Sequence, residues 1–365
     1  MSLARGNFLY LQLYNELKEK IENGTYQEGA KLPSDEELTN LCNVSMITVK
    51  KALGILKDEG MVQRIPGVGT FVKKRNPVNA EEEKAEIVQP ATKKIGVVLE
   101  HVSSSYGLDL LYKIDQLAEE KGYKTLFRFS YYNRDKENDE IDFLINSKID
   151  GLIVMPCHGM YYNPKILKLI LKGFPVVVID KKLDGISVPS VRTDNKQAIQ
   201  VLVKDLWEQG CKRIGFASAE IVGTSSLQER RNGFYEAAKE YKLETLPECS
   251  LSFDEIIYDH PVSRENIETA KKYLEEHKDK IDGIVCAEYS LLPAIMEASR
   301  ESSAGVGEKI KICCVDGPSG LPITRMKQNE IAIADKVVSL LLAQINGSKT
   351  ETDIMVPAIL VSGSN

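Results

Sequence analysis

The sequence predicts two different folds in one chain: a small α+β head and a larger α/β body made of two doubly wound parallel sheets. Three observations predict this. Residues 44–60 (VSMITVKKALGILKDEG) place apolar side chains at helical spacing on one face and polar side chains on the other. Two short β-type runs separated by glycines follow. From residue 94 onward, apolar strands alternate with helices, and this series occurs twice.

The head begins with an amphipathic helix over residues 7–23, predicted from the spacing of its apolar residues Leu13, Leu17 and Ile21. A turn-rich link ending at Pro33 then leads to a shorter helix over residues 34–41 (SDEELTNL). Ser34 is well suited to be its N-cap, because its side-chain oxygen can accept a backbone N–H of the first turn.

The next helix begins after Ser45, which is a good N-cap for the N–H of Thr48. Gly60 ends the helix, whose buried face is predicted to hold Val49, Ala52, Leu53 and Leu56. The runs 61–64 and 70–73 bracket IPGVG, whose glycines predict a hairpin. Two short helices joined by a tight turn, with a hairpin after them, form a winged helix.

This block resembles the gluconate-repressor (GntR) superfamily of bacterial regulators. The matching segments are YLQLYNELKEKIENGTYQEGAKLPSDEEL, VSMITVKKAL and LKDEGMVQRIPGVGTFV, with the family's landmarks in order. The resemblance implies that the third helix enters the major groove of DNA while the wing approaches the backbone. It implies DNA contacts from Tyr10, Ser34, Asp35, Ser45, Met46, Ile47, Thr48, Lys50, Gly67, Gly69 and Thr70.

Two positions depart from this family. The family usually has Arg where this chain has Glu36 and Met46. Met46 cannot make a bidentate contact to guanine, so the operator is expected to differ from that of close relatives, with Met46 or Ile47 touching thymine methyl groups. For Lys50 and Lys51, a solvated helix face is the alternative to a DNA contact.

Length and charge limit the possible organisation. A chain of 365 residues suggests two or three domains, and 43% hydrophobic with 27% charged residues is typical of a soluble globular protein. The net charge is −6, but residues 1–75 hold 11 basic and nine acidic residues, which leaves −8 on the remainder. A slightly basic head on an acidic body fits a DNA-contacting module joined to a body that does not touch DNA.

A linker separates the two parts. Residues 76–94 (NPVNAEEEKAEIVQPATKK) have two prolines, a charge run and little apolar content, which is typical of an exposed linker. A short surface helix at 80–88 is an alternative that can coexist with it. We therefore expect a head at 1–75, a linker at 76–92 and a body at 93–365.

Several classes of protein are disfavoured. The seven cysteines show no CxxC and no paired His spacing, which argues against a metal site and indicates a reducing, cytoplasmic location. No signal peptide and no apolar run of membrane length occur, so neither secretion nor a membrane is expected. GxGxxG, GxxxxGK[ST], GxSxG and a zinc-type His/Cys cluster are also missing. We expect neither an enzyme nor a cofactor.

The body reads as alternating strands and helices. Its apolar runs are continuous, which predicts parallel strands buried on both faces. The predicted elements of the first half are a strand at 95–99, a helix at 108–121, a strand at 124–129, a helix at 137–147, a strand at 151–155, a helix at 165–172 and a strand at 176–179.

The same series then recurs. KKIGVVLEH (93–101) is echoed by KRIGFASAE (212–220), KIDGLIVMP (148–156) by KIDGIVCAE (280–288), and PVVVIDKK (175–182) more loosely by IKICCVDG (310–317). Two copies imply two lobes, with a ligand cleft at the carboxyl ends of their strands. We expect lobe 1 at about 93–190 with a returning segment near 317–330, and lobe 2 at about 194–315 with a returning segment near 331–346.

The body resembles the effector domain of the LacI/galactose-repressor family, which periplasmic sugar-binding proteins share. The motifs are KKIGVVL, IDGLIV, GFPVVVID, RTDNKQA, GCKRIGFA, QERRNGF and IKICCVDG. A GntR-type head on this periplasmic-binding-protein-like body looks like the arabinose-repressor branch. The resemblance implies a homodimer formed through the C-terminal domain, a palindromic operator in double-stranded DNA, and a small sugar effector, with a pentose or deoxyhexose as the guess.

The cleft must match sugar hydroxyls with donors and acceptors. By family setting, Arg230 is the expected bidentate donor and Asp316 the matching acceptor, while Asp194 either binds the effector or caps a helix. Further candidates are Ser104, Tyr106, Asp109, His158, Lys181, Glu288 and Tyr289. For His158, Lys181, Glu288 and Tyr289, an exposed loop-end position is the alternative. The family's usual acidic residue after the fifth strand of lobe 2 is altered to EYS, which can shift effector preference.

Together these features predict a bacterial sequence-specific DNA-binding regulator, by family habit a repressor, controlled by a sugar in the interlobe cleft. The same architecture with a non-sugar effector, such as a purine, a nucleoside or a sugar phosphate, is the alternative. An enzyme body with an auxiliary head and a transport protein are the least favoured classes.

Overall fold

The computed structural model describes residues 6–58, 60–65, 69–73, 92–157, 162–183, 185–219, 224–252, 262–302, 304–306, 308–348, 350 and 353–363. They form two compact units, a head and a body, with the division near residue 90. Each unit is described by itself. No helix in the described ranges is long and apolar enough to cross a membrane. The seven cysteines are all free thiols.

The head is the predicted winged helix. It contains α1 (Gly6–Glu22), α2 (Asp35–Cys42), α3 (Met46–Asp58), and the antiparallel pair β1 (Val62–Ile65) and β2 (Gly69–Val72). Asn43 makes the tight turn between α2 and α3, because its left-handed backbone (φ 50°) lets the N–H of the next residue, Val44, reach the carbonyl of Thr39. The core packs α1 against α3 through the buried side chains of Leu13, Leu17, Val49, Leu53 and Leu56.

Lobe 1 of the body is a six-stranded, fully parallel sheet in the order β14-β7-β6-β5-β3-β4. Its inner strands β3, β5, β6 and β7 are buried on both faces, as continuous apolar runs predict. Its elements are β3 (Lys94–Leu99), α4 (Leu108–Glu120), β4 (Lys124–Phe129), α5 (Arg134–Asn146), β5 (Gly151–Val154), α6 (Pro164–Leu171), β6 (Val176–Ile179), β7 (Ser190–Thr193) and β14 (Asp353–Val356).

Lobe 2 has the strand order β10-β8-β11-β12-β13-β15, with β9 beside β8. All pairs are parallel except β13 with β15. Its elements are α7 (Asn195–Glu208), β8 (Arg213–Ala219), α8 (Ser225–Glu240), β9 (Glu244–Thr245), β10 (Cys249–Leu251), α9 (Arg264–His277), β11 (Gly283–Cys286), a 3₁₀ turn (Tyr289–Leu291), α10 (Leu292–Ser302), β12 (Lys311–Val315), β13 (Thr324–Lys327) and β15 (Ile359–Val361).

The expected assignment of the returning segments is wrong, because the two are exchanged. β13 pairs with β12 and so belongs to lobe 2, whereas α11 (Glu330–Ile345) packs into the core of lobe 1 through Ile333, Val337 and Leu341. The chain then returns once more to each lobe, as β14 and β15. Both sheets offer an apolar face and an open edge, so the apolar pattern alone does not say which sheet a returning segment joins.

The repeated KIDG motif has the same structural role in both lobes. In lobe 1, the Asp150 carboxylate accepts the N–H groups of Thr92 and Lys94 at 2.9 and 3.2 Å. In lobe 2, Asp282 accepts those of Lys212 and Arg213 at 3.0 and 2.9 Å. Each aspartate therefore fixes the start of the neighbouring strand, so the sequence echo corresponds to a repeated hydrogen-bond pattern.

Candidate functional site

The start of α3 presents side chains outward. Ser45 accepts the N–H of Thr48 at 3.2 Å and caps the helix, which orients its first turn. Met46 and Ile47 are 38% and 61% exposed, and Lys50 lies exposed one turn further along. This face can contact base edges and thymine methyl groups in a major groove.

Other head residues expected to bind DNA have partners of their own. Ser34 and Glu37 form a capping box at the start of α2. The Asp35 carboxylate accepts a hydrogen bond from Arg64 of β1, which links α2 to the hairpin. The side chain of Arg64 is 43% exposed. Arg64 was not among the DNA contacts expected from the sequence. A basic residue on the first hairpin strand was the available signal.

Tyr10, Thr48 and Thr70 lie largely inside the head, with exposures of 6%, 6% and 5%. The ammonium of Lys51 lies 5.4 Å from the centre of the Tyr10 ring, and burial raises the pKa of Tyr10. Gly69 takes φ 140° beside Lys31, where an added Cβ would lie 2.6 Å from Cε of that lysine. Gly67 lies outside the described residues.

In the body, polar side chains gather where strands of both lobes end, as parallel sheets predict. Asp180 directly follows β6, and Asp316 directly follows β12 at the equivalent position of the second repeat. Both have left-handed backbones, with φ 65° and 64°. Aspartate visits this region more readily than most residues because its short side chain hydrogen-bonds locally. Each lobe therefore presents a carboxylate in the same backbone geometry.

Arg230 on α8 is held from two sides and is only 4% exposed. Its Nε donates to Oδ1 of Asn195 at 2.8 Å, and its Nη1 donates to the carbonyl of Ala287 at 2.9 Å. Within the described ranges, its Nη2 has no hydrogen-bond partner. A rigid guanidinium with one uncommitted edge is a suitable donor to neighbouring ligand oxygens.

Asp316 joins a hydrogen-bonded chain that runs between the lobes. It accepts the backbone N–H of Gln328 at 3.1 Å and its side-chain amide at 2.7 Å. The amide oxygen of Gln328 in turn accepts the hydroxyl of Thr193 at the end of β7. Burial raises the pKa of Asp316 to about 6, and the positive charge of Arg230 opposes that rise.

Two polar atoms near this carboxylate are buried without a hydrogen-bond partner among the described residues: the Tyr106 hydroxyl and Glu288 Oε1. The Ser290 side chain lies close enough to Glu288 to lower the pKa of that carboxyl. Burial raises the pKa of Tyr106 and of Glu288, and Arg230 lowers both. An unsatisfied buried polar group is costly, so several together are typical of a site that a ligand completes.

Comparison with known proteins agrees with this geometry. Residues 95–332 match the family model for the periplasmic binding protein domain, which is more than half of the chain. The chain belongs to that family. Residues 9–72 match the model for bacterial regulatory proteins of the gntR family. The protein is therefore a DNA-binding transcriptional regulator with a winged-helix head and a periplasmic-binding-protein body.

Similar proteins are of the same kind. The arabinose metabolism transcriptional repressor of Geobacillus stearothermophilus is 28% identical over 88% of this chain and 85% of its own length. A periplasmic binding protein/LacI transcriptional regulator from Alkaliphilus metalliredigens, solved with D-xylulofuranose, has a TM-score of 0.61 at 19% identity, covering 74% of this chain and 98% of the other. The Cra dual regulator from Pseudomonas putida, solved with fructose 1-phosphate, has a TM-score of 0.60 at 22% identity, covering 75% and 100%. These two structural likenesses establish the fold alone.

Several predicted cleft residues have other roles in the periplasmic-binding-protein body. Lys181 is buried and donates to Glu100 and to the carbonyl of Pro156. Asp194 caps α7 by accepting the N–H of Gln197 at 3.0 Å, which is the alternative considered for it. Asp109 is paired with Lys327 at 2.9 Å. Ser104 is exposed in the loop after β3, and Tyr289 is half-buried after β11. His158 lies outside the described residues.

Sequence reasoning missed a carboxylate that joins two helices of lobe 1 and an arginine that links the two lobes. The Glu330 carboxylate accepts the N–H groups of Gly107 and Leu110, each at 2.9 Å, and so holds the start of α4. Arg192 of β7 is 5% exposed; its Nη1 donates to both oxygens of Glu229 at 2.7 Å, and its Nε and Nη2 donate to Asp353 at 3.2 Å. These partners are 37 to 223 residues apart in the sequence, so they leave no local signal.

Proposed function

We propose that this regulator is a repressor that binds operator DNA through α3 and its hairpin and is controlled by a small sugar in the interlobe cleft. The main support for a sugar is that Nη2 of Arg230 has no hydrogen bond among the described residues and that the Tyr106 hydroxyl and Glu288 Oε1 are buried without a partner there. Sugar hydroxyls both donate and accept, so one ring can satisfy all three atoms. The relative named for arabinose metabolism supports a pentose effector, with a deoxyhexose next.

Recognition of DNA in this proposal combines apolar and basic contacts. Met46 and Ile47 contact thymine methyl groups, while Lys50 and the exposed Arg64 approach bases or phosphates. Arg64 also anchors Asp35, so the hairpin and α2 meet the backbone as one surface. We expect an operator rich in A·T pairs at the positions facing Met46 and Ile47.

A homodimer and a palindromic operator belong to the same proposal. α4 and α11 pack together in lobe 1 and expose Leu108 (44%), Tyr112 (66%) and Ile331 (47%). An apolar surface of this kind favours burial against a second copy of the chain. A two-fold dimer presents two heads to two half-sites, so closure of the lobes can alter DNA affinity. A regulator that acts on bacterial DNA works in the cytoplasm.

A purine or nucleoside effector is the second candidate. One observation favours it: Tyr106 and Tyr289 bring an aromatic ring to the strand-end loops of both lobes, and aromatic rings stack on bases. The same rings can instead cover the apolar face of a sugar.

The test uses the full-length protein and DNA selected by it from a random library. DNA affinity is measured by fluorescence anisotropy, alone and with each member of a panel of pentoses, deoxyhexoses, hexoses, sugar phosphates, nucleosides and purines at millimolar concentration. We expect one sugar to weaken DNA binding by about tenfold or more, within the usual range of allosteric coupling. Release by a purine would replace the sugar with the second candidate. Failure to select any DNA sequence would contradict the proposal as a whole.

A further inference from the structure

The strand ends around Arg230 carry more negative than positive charge. Asp180, Glu288, Asp316 and Glu330 come from four different elements of the body. The charges of Asp180 and Asp316 raise the pKa of Glu288, and those of Asp180, Asp316 and Glu330 raise that of Tyr106. These carboxylates therefore lie close enough to act on one another.

Neighbouring cations do not cancel this excess. Lys181 is bound to Glu100, and Lys327 is bound to Asp109 while its ammonium also acts on Glu330 and Asp316. Arg325 donates through Nη1 to the carbonyl of Leu321 and acts on Cys314. Arg230 is thus the guanidinium that acts on Glu288, Asp316 and Tyr106 together.

Glu288 differs from Asp316 and Glu330 because its hydrogen-bond partners are incomplete. Asp316 holds Gln328 through two bonds, and Glu330 holds two N–H groups at the start of α4. Glu288 directly follows Ala287, whose carbonyl accepts a hydrogen bond from Arg230. The buried Oε1 of Glu288 has no hydrogen-bond partner among the described residues. The buried hydroxyl of Tyr106 shares this condition, and the neighbouring Ser290 side chain lowers the pKa of Glu288. Glu288 therefore has an acceptor ready for a ligand donor.

From this cluster we infer that the cleft takes a polyhydroxylated effector without a phosphate group and that Glu288 enforces the choice. Hydroxyl groups donate to Glu288 Oε1 and accept from Arg230 Nη2. A phosphate group is close to doubly ionised near neutral pH and offers only acceptors, so where it takes the place of the hydroxyl that faces Glu288 it leaves Oε1 unpaired and repels the surrounding carboxylates. The fold alone does not decide this, because its relatives were solved with a free sugar and with a phosphorylated one.

This inference rests on the proposed sugar-responsive function and names the chemical class of its effector. The test is isothermal titration of the full-length protein at pH 7.5 with matched pairs of ligands: L-arabinose and its 5-phosphate, D-ribose and its 5-phosphate, and D-glucose and its 6-phosphate. We expect at least one free sugar to bind and its phosphate ester to bind at least tenfold more weakly.

Glu288→Gln removes the charge and keeps the shape. We expect it to reduce the preference for the free sugar over its ester by about tenfold or more. Asp180→Asn is the second variant; asparagine also tolerates the left-handed backbone, and this change should reduce the ratio in the same direction. Glu275→Gln, on the exposed face of α9, is the matched control and should keep the wild-type ratio. Unchanged DNA affinity checks that each variant is folded.

The possible failures can be told apart. A phosphate ester that binds as tightly as its sugar would overturn the inference while leaving an effector-controlled regulator in place. An unchanged ratio in both Glu288→Gln and Asp180→Asn would overturn the role of the carboxylates. If no sugar and no ester bind, the sugar-responsive function fails and the inference fails with it.

Discussion

Replacing Arg192 with methionine tests how the two lobes are held together. Arg192 lies on β7 of lobe 1, is 5% exposed and makes hydrogen bonds to Glu229 of lobe 2 and to Asp353 of β14. Methionine keeps most of the length of the side chain but removes its charge and all its donors. The negative charge of Asp353 already raises the pKa of Glu229. In the variant, these two carboxylates face one another without the guanidinium between them.

The expected cost follows from burial. Removing one partner of a buried ion pair usually costs about 3–5 kcal/mol, because the other charge stays behind unpaired. Here the carboxylates of Glu229 and Asp353 are 26% and 27% exposed, and Lys182 still binds Asp353 at 2.8 Å. Solvent and Lys182 therefore screen part of the loss. We expect Arg192→Met to lower the unfolding free energy by about 2–3 kcal/mol.

The assay is urea denaturation at pH 7.5, followed by the fluorescence of Trp207, the single tryptophan, which lies on α7 of lobe 2. The double variant Arg192→Met/Glu229→Gln should cost less than the sum of the two single variants by about 1 kcal/mol or more, because it leaves one fewer unpaired charge. Lys204→Met, which loses only an exposed pair with Glu208, is the control and should cost under about 0.5 kcal/mol. A cost below about 1 kcal/mol for Arg192→Met, or strict additivity in the double variant, would refute the assignment of Arg192 as the ionic link between lobes.

Three further predictions concern the sites. Arg230→Ala should abolish the response to effector while leaving DNA affinity unchanged, because α8 lies in the body; release of the variant from DNA by sugar, measured by anisotropy, would show the cleft assignment to be wrong. Lys50→Ala should weaken DNA binding and reduce the slope of log affinity against log salt by about 0.9 if Lys50 contacts a phosphate; an unaltered slope would exclude that contact. Burial raises the pKa of Asp316 from its ordinary value of 3.8 to about 6 in the folded protein, so the folded state binds this proton more tightly and the stabilisation is lost as pH rises from about 4 to 6. Asp316→Asn should therefore remove that part of the decline in unfolding free energy between pH 4.5 and 7.5, and equal declines in wild type and variant would contradict it.

Local chemistry made much of the head predictable from sequence. The N-caps Ser34 and Ser45, the left-handed Asn43 and the terminating Gly60 act over one helical turn, so their signals lie beside the elements they define. The two repeated series of strands in the body could be predicted from the sequence for a related reason, because strands buried on both faces must be continuously apolar. The observed ends of the strands and helices differ from the predicted ends by only a few residues, because the ends of helices and strands fray.

The sequence by itself determined the architecture, which is two lobes with a separate head. It also placed Asp316 at the end of a strand and Arg230 on a neighbouring helix. Only the tertiary structure decided which lobe receives β13 and α11, and that Lys181 and Asp194 are occupied by their own partners. It also decided which side chains surround Arg230, since Asn195, Glu288 and Asp316 meet there from distant parts of the chain. Helix caps and apolar periods are local properties of a sequence. A cleft is assembled by folding, so its hydrogen bonds and its excess of negative charge appear only once the lobes are in place.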